Sequence, residues 1–364
     1  MLKPDRSIQR FLISTPSRLV GEYISDDLII THSWQTNPLI ETTMENPFSR
    51  SYYMISFNTP DPSYEEKEVI VYPKISPEPL LVFLSVLFGK QFDYHGPFET
   101  YGTFHVPNLV SNEVTRHYKI GFVNHSPRAN YSIALNLEHF KIMQPLFIKD
   151  SGVDEKIYSI FLAAGKSYLQ AIQRYEKQPD SAFLDLITCG EILSNYFDYP
   201  DEVMFDENLL KQFSTIEQTV EGGEAIVKNI KSRLFQVSRR FRHTILNLLT
   251  PEFFTNSEVT ADDYTFAALD EEHIVKRING AYQLRSSYVH TGRRFGLEIM
   301  NENWERQFGK YRVKGSENEK RFIKALNDTP TFKGLERLMR YVLLRFLITN
   351  HVITIPPEPA VTDE

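Results

Sequence analysis

The chain has 364 residues, 41% hydrophobic and 24% charged, which is the composition of an ordinary globular protein with material for two or three domains. Its single cysteine, Cys189, excludes internal disulfides and any CxxC metal or redox site. With a net charge of −7, the protein as a whole does not attract nucleic acid through its total charge.

Two segments bear on cellular location. The longest apolar run, residues 80–88 with Ser85 inside it, is far too short to cross a bilayer. The first residues, MLKPDRSIQRF, lack the apolar core of a secretory signal peptide. We therefore expect a cytoplasmic protein that does not contact membranes.

The first half of the chain predicts a β-rich domain over residues 1–148. Runs of β-branched and aromatic residues between Pro and Asn turns indicate short strands, namely within 21–34 around an Asp-Asp turn, and over 52–57, 67–72, 101–106 and 117–123. One apolar helix is expected over 80–88, opened by Pro77-Glu78-Pro79 and ended by Gly89. No catalytic motif lies in this domain, so we expect the domain to sense a trigger or to restrain the activity of the second half of the chain.

From residue 149 the pattern changes to helices, which predicts a helical bundle over 149–353 and a flexible acidic tail over 354–364. Residues 157–175 are amphipathic, and Pro179-Asp180-Ser181 starts a second helix that continues to Phe197. The final helix has one apolar stripe from Leu335 to Leu347. The fold class is therefore α+β, with the β-rich part first.

Basic residues concentrate in two places of the helical half. Residues 225–249 contain no acid and predict one long helix that carries Lys228, Lys231, Arg233, Arg239, Arg240 and Arg242. A second cluster comprises Arg306, Lys310, Arg312 and Lys314. Patches of this kind bind phosphates even on an acidic protein, and we expect the first to contact RNA. A solvated helix face is an equally open interpretation of either cluster.

The most informative segment runs from Arg285 to His290, late in a helix that Gly292 is placed to end. With helical spacing, one apolar stripe forms with Arg285 near its centre, made of Ile274, Ile278, Ala281, Tyr288 and Val289. A guanidinium cannot lose its proton and is costly to bury without a partner. The arginine is therefore expected to serve a purpose there.

An arginine and a histidine together suit the cleavage of RNA without a metal ion. Imidazole moves protons near neutral pH, and guanidinium stabilises charge that develops on a phosphoryl group. Ser286 lies about one turn before His290, and Tyr282 about one turn before Arg285, so both can support the pair. A single histidine cannot easily be both acid and base, which favours a twofold dimer that shares one site.

The segment Leu284–Gly292 resembles the R-x4–6-H motif of HEPN domains, in particular the Apea-like group. Glu191, in the helix that starts at 179, is similar to the acidic residue of the early HEPN helix, and 335–347 to the closing helix. The resemblance covers about 150–350 well and 70–145 loosely. It implies a dimeric, metal-independent endoribonuclease that leaves 2′,3′-cyclic phosphate and 5′-hydroxyl ends, in anti-phage defence or as a toxin.

The sequence departs from the family at Thr291, where many relatives have glycine, so the helix end is expected to differ in shape. Other interpretations stay open. Arg285 could form a structural ion pair with Glu191, and His290 could be placed by the helix dipole. Ser286 and Tyr282 suit structural roles better than catalytic ones.

The adjacent Arg293 and Arg294 could contact phosphate or form an exposed pair. The alternative function is a non-catalytic dimerisation or nucleotide-binding adaptor module. We expect no cofactor and no metal ion. The expected partners are RNA, a second copy of the chain and an unknown activator or inhibitor.

Overall fold

The computed structural model describes residues 8–33, 50–58, 63–64, 70–71, 77–99, 131, 133–148, 151–255, 269–299 and 317–355. The chain forms two compact units. One comprises Met1–Asp154, Tyr168–Ala182 and Leu347–Glu364, and the other comprises Glu155–Ser167 and Phe183–Phe346. The domain limits expected at 148 and 353 remain predictions.

An antiparallel sheet of five strands forms the N-terminal part and confirms its predicted β-rich character. In spatial order it contains β2 (Tyr23–Ile24), β3 (Leu28–His32), β4 (Ser51–Asn58), β1 (Ile8–Thr15) and β7 (Asp93–Glu99). A separate pair consists of β5 (Ser63–Tyr64) and β6 (Ile70–Val71). The strands predicted over 101–106 and 117–123 lie outside the described residues.

Two strands of this sheet have no clear pattern in the sequence. β1 lies between β4 and β7 and does not alternate between polar and apolar residues, since the polar Ser14 and Thr15 are buried as fully as the neighbouring Ile13. β7 contains Gly96 and Pro97, which normally argue against a strand. Its position at the sheet edge explains the exception, because proline is tolerated where one side of a strand has no partner.

The predicted apolar helix is confirmed as α1 (Glu78–Phe88), whose residues 81–88 are all buried. Gly89 ends it with φ 62° and donates its N–H to the Ser85 carbonyl. α1 packs against β7 and against a 3-10 helix over Leu137–Leu146. The Phe147 ring stacks on Phe83 and on Phe140, which completes this core.

The C-terminal part is largely helical, as predicted. Its helices are α2 (Glu155–Arg174), α3 (Pro179–Ser194), α4 (Asp201–Met204), α5 (Glu207–Thr219), α6 (Gly223–Arg233), α7 (Val237–Leu248), α8 (Glu252–Thr255), α9 (Ile274–Thr291), α10 (Gly296–Ile299), α11 (Glu317–Asp328) and α12 (Phe332–Thr349).

The single long basic helix predicted over 225–249 is wrong, because the structure has two helices there. α6 ends at Arg233, and Gln236 adopts a left-handed conformation with φ 44° before α7 begins. Between them, Leu234 packs against an apolar cluster of α4, α5 and α6 whose buried members are Met204, Phe205, Phe213 and Val227. This packing diverts the chain at a place where the sequence has neither glycine nor proline.

Candidate functional site

The helix α9 holds Arg285 and His290, and α11 fixes its position. The face of α9 that faces the core contains Ile274, Ile278, Gly280, Ala281 and Leu284. A methyl group on Gly280 would lie 2.5 Å from the Asp328 carbonyl carbon, so the two backbones are in close contact. Lys276 adds an ion pair to Asp328, with 3.1 Å between Nζ and Oδ1.

The predicted apolar stripe with Arg285 near its centre is wrong at Val289, in the last turn of α9. The buried face continues through Leu284 instead, while Val289 is 54% exposed. Arg285 lies at the margin, with 30% of its side chain exposed. The reason is tertiary: close contact with α11 at Gly280 sets which side of α9 faces the core. The arginine can therefore reach solvent as well as a partner inside the protein.

That internal partner is Glu191 of α3. Arg285 Nη2 lies 3.3 Å from Glu191 Oε2, and the glutamate side chain is 16% exposed. The guanidinium also lies 5.6 Å from the centroid of the Tyr282 ring. The structure thus brings together three of the predicted site residues, from two helices distant in sequence. The ion pair fits both a structural and an orienting role for Glu191.

Close packing of α3 against α7 supports the cluster of Arg285, Glu191 and Tyr282. A methyl group on Gly190 would lie 2.4 Å from Cε2 of Phe241, a fully buried residue of α7. The Phe241 ring in turn lies 5.5 Å from the Tyr282 ring. Glycine at 190 therefore lets α3, α7 and α9 meet beside Glu191. Neither Gly190 nor Phe241 was among the residues expected to matter, because no local motif marks such a contact.

The Tyr282 phenol has a perturbed acidity. Burial, followed by the negative charge of Glu191 and a hydrogen bond to it, raises the pKa of Tyr282 to about 12, and the Arg285 charge opposes this only in part. The hydroxyl therefore keeps its proton at neutral pH and is a hydrogen-bond donor. Tyr282 cannot act as a general base in this cluster, whereas it can hold the Glu191 carboxylate in place.

His290 lies exposed in the last turn of α9. Gly292 ends the helix with φ 66° and donates its N–H to the Tyr288 carbonyl over 2.8 Å. The Thr291 hydroxyl donates to the Ser287 carbonyl over 2.7 Å and accepts from the Arg293 N–H over 3.3 Å. Threonine at 291 thus shapes the helix end with hydrogen bonds that a glycine could not make.

An aromatic anchor follows this helix end. The fully buried Phe295 ring packs against Phe183 of α3, with 5.4 Å between centroids, and against Tyr288, with 5.7 Å. The chain after α9 is therefore held against α3, the helix that provides Glu191.

Arg285 and His290 do not share one face of α9. Five residues of α helix correspond to about 140° of rotation and about 7.5 Å of rise. Ser286, which is half-buried, is about 40° from His290 and so belongs to the histidine side. A single copy of the helix therefore presents the guanidinium and the imidazole in different directions.

The predicted RNA-binding residues divide into two groups. Three of these residues already have a partner within the protein. Lys231 pairs with Asp201 over 2.8 Å, and Arg239 pairs with Asp206 over 3.2 Å. Arg242 donates a hydrogen bond to Asn279 over 3.2 Å. These partners neutralise or occupy part of each side chain, which weakens the prediction that the three residues bind phosphate.

The second group is more accessible. Lys228 and Arg233 are exposed, and Arg240 is half-buried. The Arg293 guanidinium lies 3.8 Å from the centroid of the Phe322 ring, while Arg294 is exposed. The second basic cluster, at 306, 310, 312 and 314, lies outside the described residues.

A polar cluster in the sheet has no signal in the sequence, since its members are far apart in the chain. His95 Nε2 lies 2.6 Å from the hydroxyl of the buried Ser14, and Arg50 Nε donates to the same hydroxyl over 2.8 Å. Arg50 also pairs with Asp93. Burial and the Arg50 charge lower the pKa of His95, and Asp93 opposes this. The imidazole is therefore neutral at physiological pH and can accept the Ser14 proton.

Within the described ranges, no group of three or more His, Cys, Asp or Glu side chains is arranged to hold a metal ion. No helix in that part of the chain is long and apolar enough to cross a membrane. Comparison with family models, curated proteins and solved structures found no match to this chain. The resemblance to HEPN domains therefore remains a prediction.

Proposed function

We propose that the protein is a metal-independent endoribonuclease whose active site forms when two copies of the chain place Arg285 and His290 around one phosphodiester. In this mechanism an imidazole removes the proton of a ribose 2′-hydroxyl, which attacks the neighbouring phosphorus. The guanidinium stabilises the oxyanion that develops, and an imidazole protonates the departing 5′ oxygen. The products have 2′,3′-cyclic phosphate and 5′-hydroxyl ends, and the biological context implied by the resemblance is anti-phage defence or toxicity.

The observation on which the proposal depends is the state of Arg285. It is oriented by Glu191 yet has 30% of its side chain exposed, so it is held in place and can still reach a ligand. His290 and the apolar Val289 are both exposed at the same helix end. The exposed Val289 beside His290 favours contact with a second protein surface. Because Arg285 and His290 point in different directions within one protomer, a second copy of the chain would supply the residue that completes the pair.

One observation favours the alternative of a non-catalytic scaffold. The ion pair between Arg285 and Glu191 gives the arginine a structural partner, which a purely structural role would also require. That alternative predicts that replacing Arg285 lowers stability and that replacing the exposed His290 changes nothing. The two functions therefore differ in what they require of the histidine.

The test is cleavage of total RNA in EDTA by the parent protein and by Arg285→Ala and His290→Ala. Two variants in the same unit serve as matched controls, the exposed Arg321→Ala on α11 and Gln283→Ala on α9. We expect cutting by the parent and both controls and a loss of at least 100-fold with either site variant. An oligonucleotide with 2′-O-methyl riboses must stay intact.

Circular dichroism and light scattering on every variant separate loss of the site from loss of the fold or of the dimer. Equal cutting by the parent and by folded His290→Ala would refute the proposal. Cutting that requires added Mg²⁺, or that proceeds on the 2′-O-methyl substrate, would refute the mechanism.

A further inference from the structure

The most exposed large apolar side chain in the described part of the chain is Phe235, which is 74% exposed. It lies in the short connection between α6 and α7, in the middle of the acid-free segment 225–249. A phenyl ring in water loses the stabilisation that burial of its apolar surface would provide. Its position therefore needs an explanation other than folding.

The local backbone presents the ring to solvent. Leu234 packs against the apolar cluster of α4, α5 and α6, whereas the next residue points away from it. Gln236 then adopts φ 44° and ψ 39°, a left-handed conformation that is unfavourable for a residue with a side chain. The N–H groups of Arg239 and Arg240 bond to the Gln236 carbonyl and keep this corner in place. The exposed ring is thus held by a defined turn.

The charged residues of the segment that carries the ring are all basic, although Asp201, Glu202 and Glu217 lie close enough to act on Lys231 of α6. Arg233 is exposed and two residues from Phe235, so their Cα atoms lie within about 7 Å. Lys228 is exposed on α6, and Arg240 is half-buried in the first turns of α7. The acids that neutralise Lys231 and Arg239 belong to residues 201 and 206, outside this segment. An aromatic face beside an exposed guanidinium group is complementary to a base and its phosphate.

We infer that Phe235, with Arg233 and Lys228, forms a binding platform for single-stranded RNA, on which one unpaired base stacks while the basic side chains bind the adjacent phosphates. A duplex cannot use the platform, because its bases are already stacked on each other. The inference deepens the proposed ribonuclease function and rests on it only for the choice of RNA. A protein partner on the same ring is the competing possibility, and the experiment below separates the two.

The experiment measures binding of a fluorescent 12-nucleotide RNA that contains only 2′-O-methyl riboses, in EDTA, so that cleavage cannot occur. The variants are Phe235→Leu, which stays apolar but cannot stack, and Phe235→Trp, which stacks. Tyr94→Leu is the matched control, since Tyr94 is an aromatic residue 42% exposed on β7. Arg233→Gln tests the phosphate contact.

We expect Phe235→Leu to weaken binding by about 5- to 150-fold, the range found for loss of one stacked base, while Phe235→Trp and Tyr94→Leu bind as the parent does. Arg233→Gln should lower the dependence of log affinity on log salt by about one. The new indole of Phe235→Trp should also show fluorescence quenching when the RNA binds. A duplex of the same sequence should bind equally to all Phe235 variants.

Equal affinity of the parent and Phe235→Leu, or no binding of single-stranded RNA at all, would overturn the platform. So would a shift of Phe235→Leu to a smaller assembly in light scattering, because the ring would then be a protein contact. Binding that depends on Phe235, together with cleavage that does not depend on His290, would instead keep the platform and reject the ribonuclease.

Discussion

Replacing Glu191 by glutamine isolates the ion pair that orients Arg285. Glutamine has the shape of glutamate and can still bond to Tyr282, so the change removes mainly the charge. With 3.3 Å between Nη2 and Oε2, an effective dielectric constant near 20 gives about 5 kcal/mol of attraction before desolvation is counted.

Most of that attraction is offset, because both groups lose water when they pair. The side chains are 30% and 16% exposed, so solvent screens them in part and Arg285 can rehydrate when its partner is lost. We therefore expect a net loss of about 1 kcal/mol, which corresponds to a fall in Tm of about 2–4 °C for a unit of this size.

The assay is calorimetric unfolding of the parent, Glu191→Gln, Arg285→Gln and the double variant. The pair should show a coupling of about 1 kcal/mol, so that the double variant is little worse than either single one. Two losses that add to within about 0.3 kcal/mol would show that the residues do not interact, and the assigned orientation of Arg285 would be refuted. If the pair positions the active site, Glu191→Gln should also reduce RNA cleavage while His290 is intact.

Gly280→Ala should destabilise the helical unit by about 1–3 kcal/mol, since its methyl group would meet the α11 backbone at 2.5 Å, whereas Gln283→Ala on the exposed face should change Tm by less than 1 °C. Burial raises the pKa of Cys189, so its thiol should react with a disulfide reagent only as fast as the protein opens, and immediate reaction in native buffer would contradict this. Because the pKa of His95 is lowered from 6.5, the unfolded chain binds this proton more readily, and stability should fall as pH drops below about 6.5 until the folded pKa is reached. His95→Asn should remove that part of the slope in unfolding curves between pH 7.5 and 5, and an unchanged slope would reject the lowered pKa of His95.

Several features followed from the sequence because their causes are local. Gly89 and Gly292 end α1 and α9 in the left-handed conformation that the absence of a side chain permits. The division into a β-rich part and a helical part followed from the change from short β-branched and aromatic runs between Pro and Asn turns to helical spacing of apolar residues. The arginine at 285 and the histidine at 290 also suggested metal-independent RNA cleavage from the sequence alone.

Other features depended on contacts between distant segments. The break between α6 and α7 arises because Leu234 packs into a cluster built by α4 and α5, which a periodic helical pattern cannot indicate. The rotation of α9 that leaves Arg285 at the margin and Val289 in solvent is set where Gly280 meets α11. The pairing of Arg285 with Glu191 spans 94 positions of the chain. Local chemistry thus determined which elements form and where they end, whereas tertiary packing alone decided which side chains are buried, paired or free to bind.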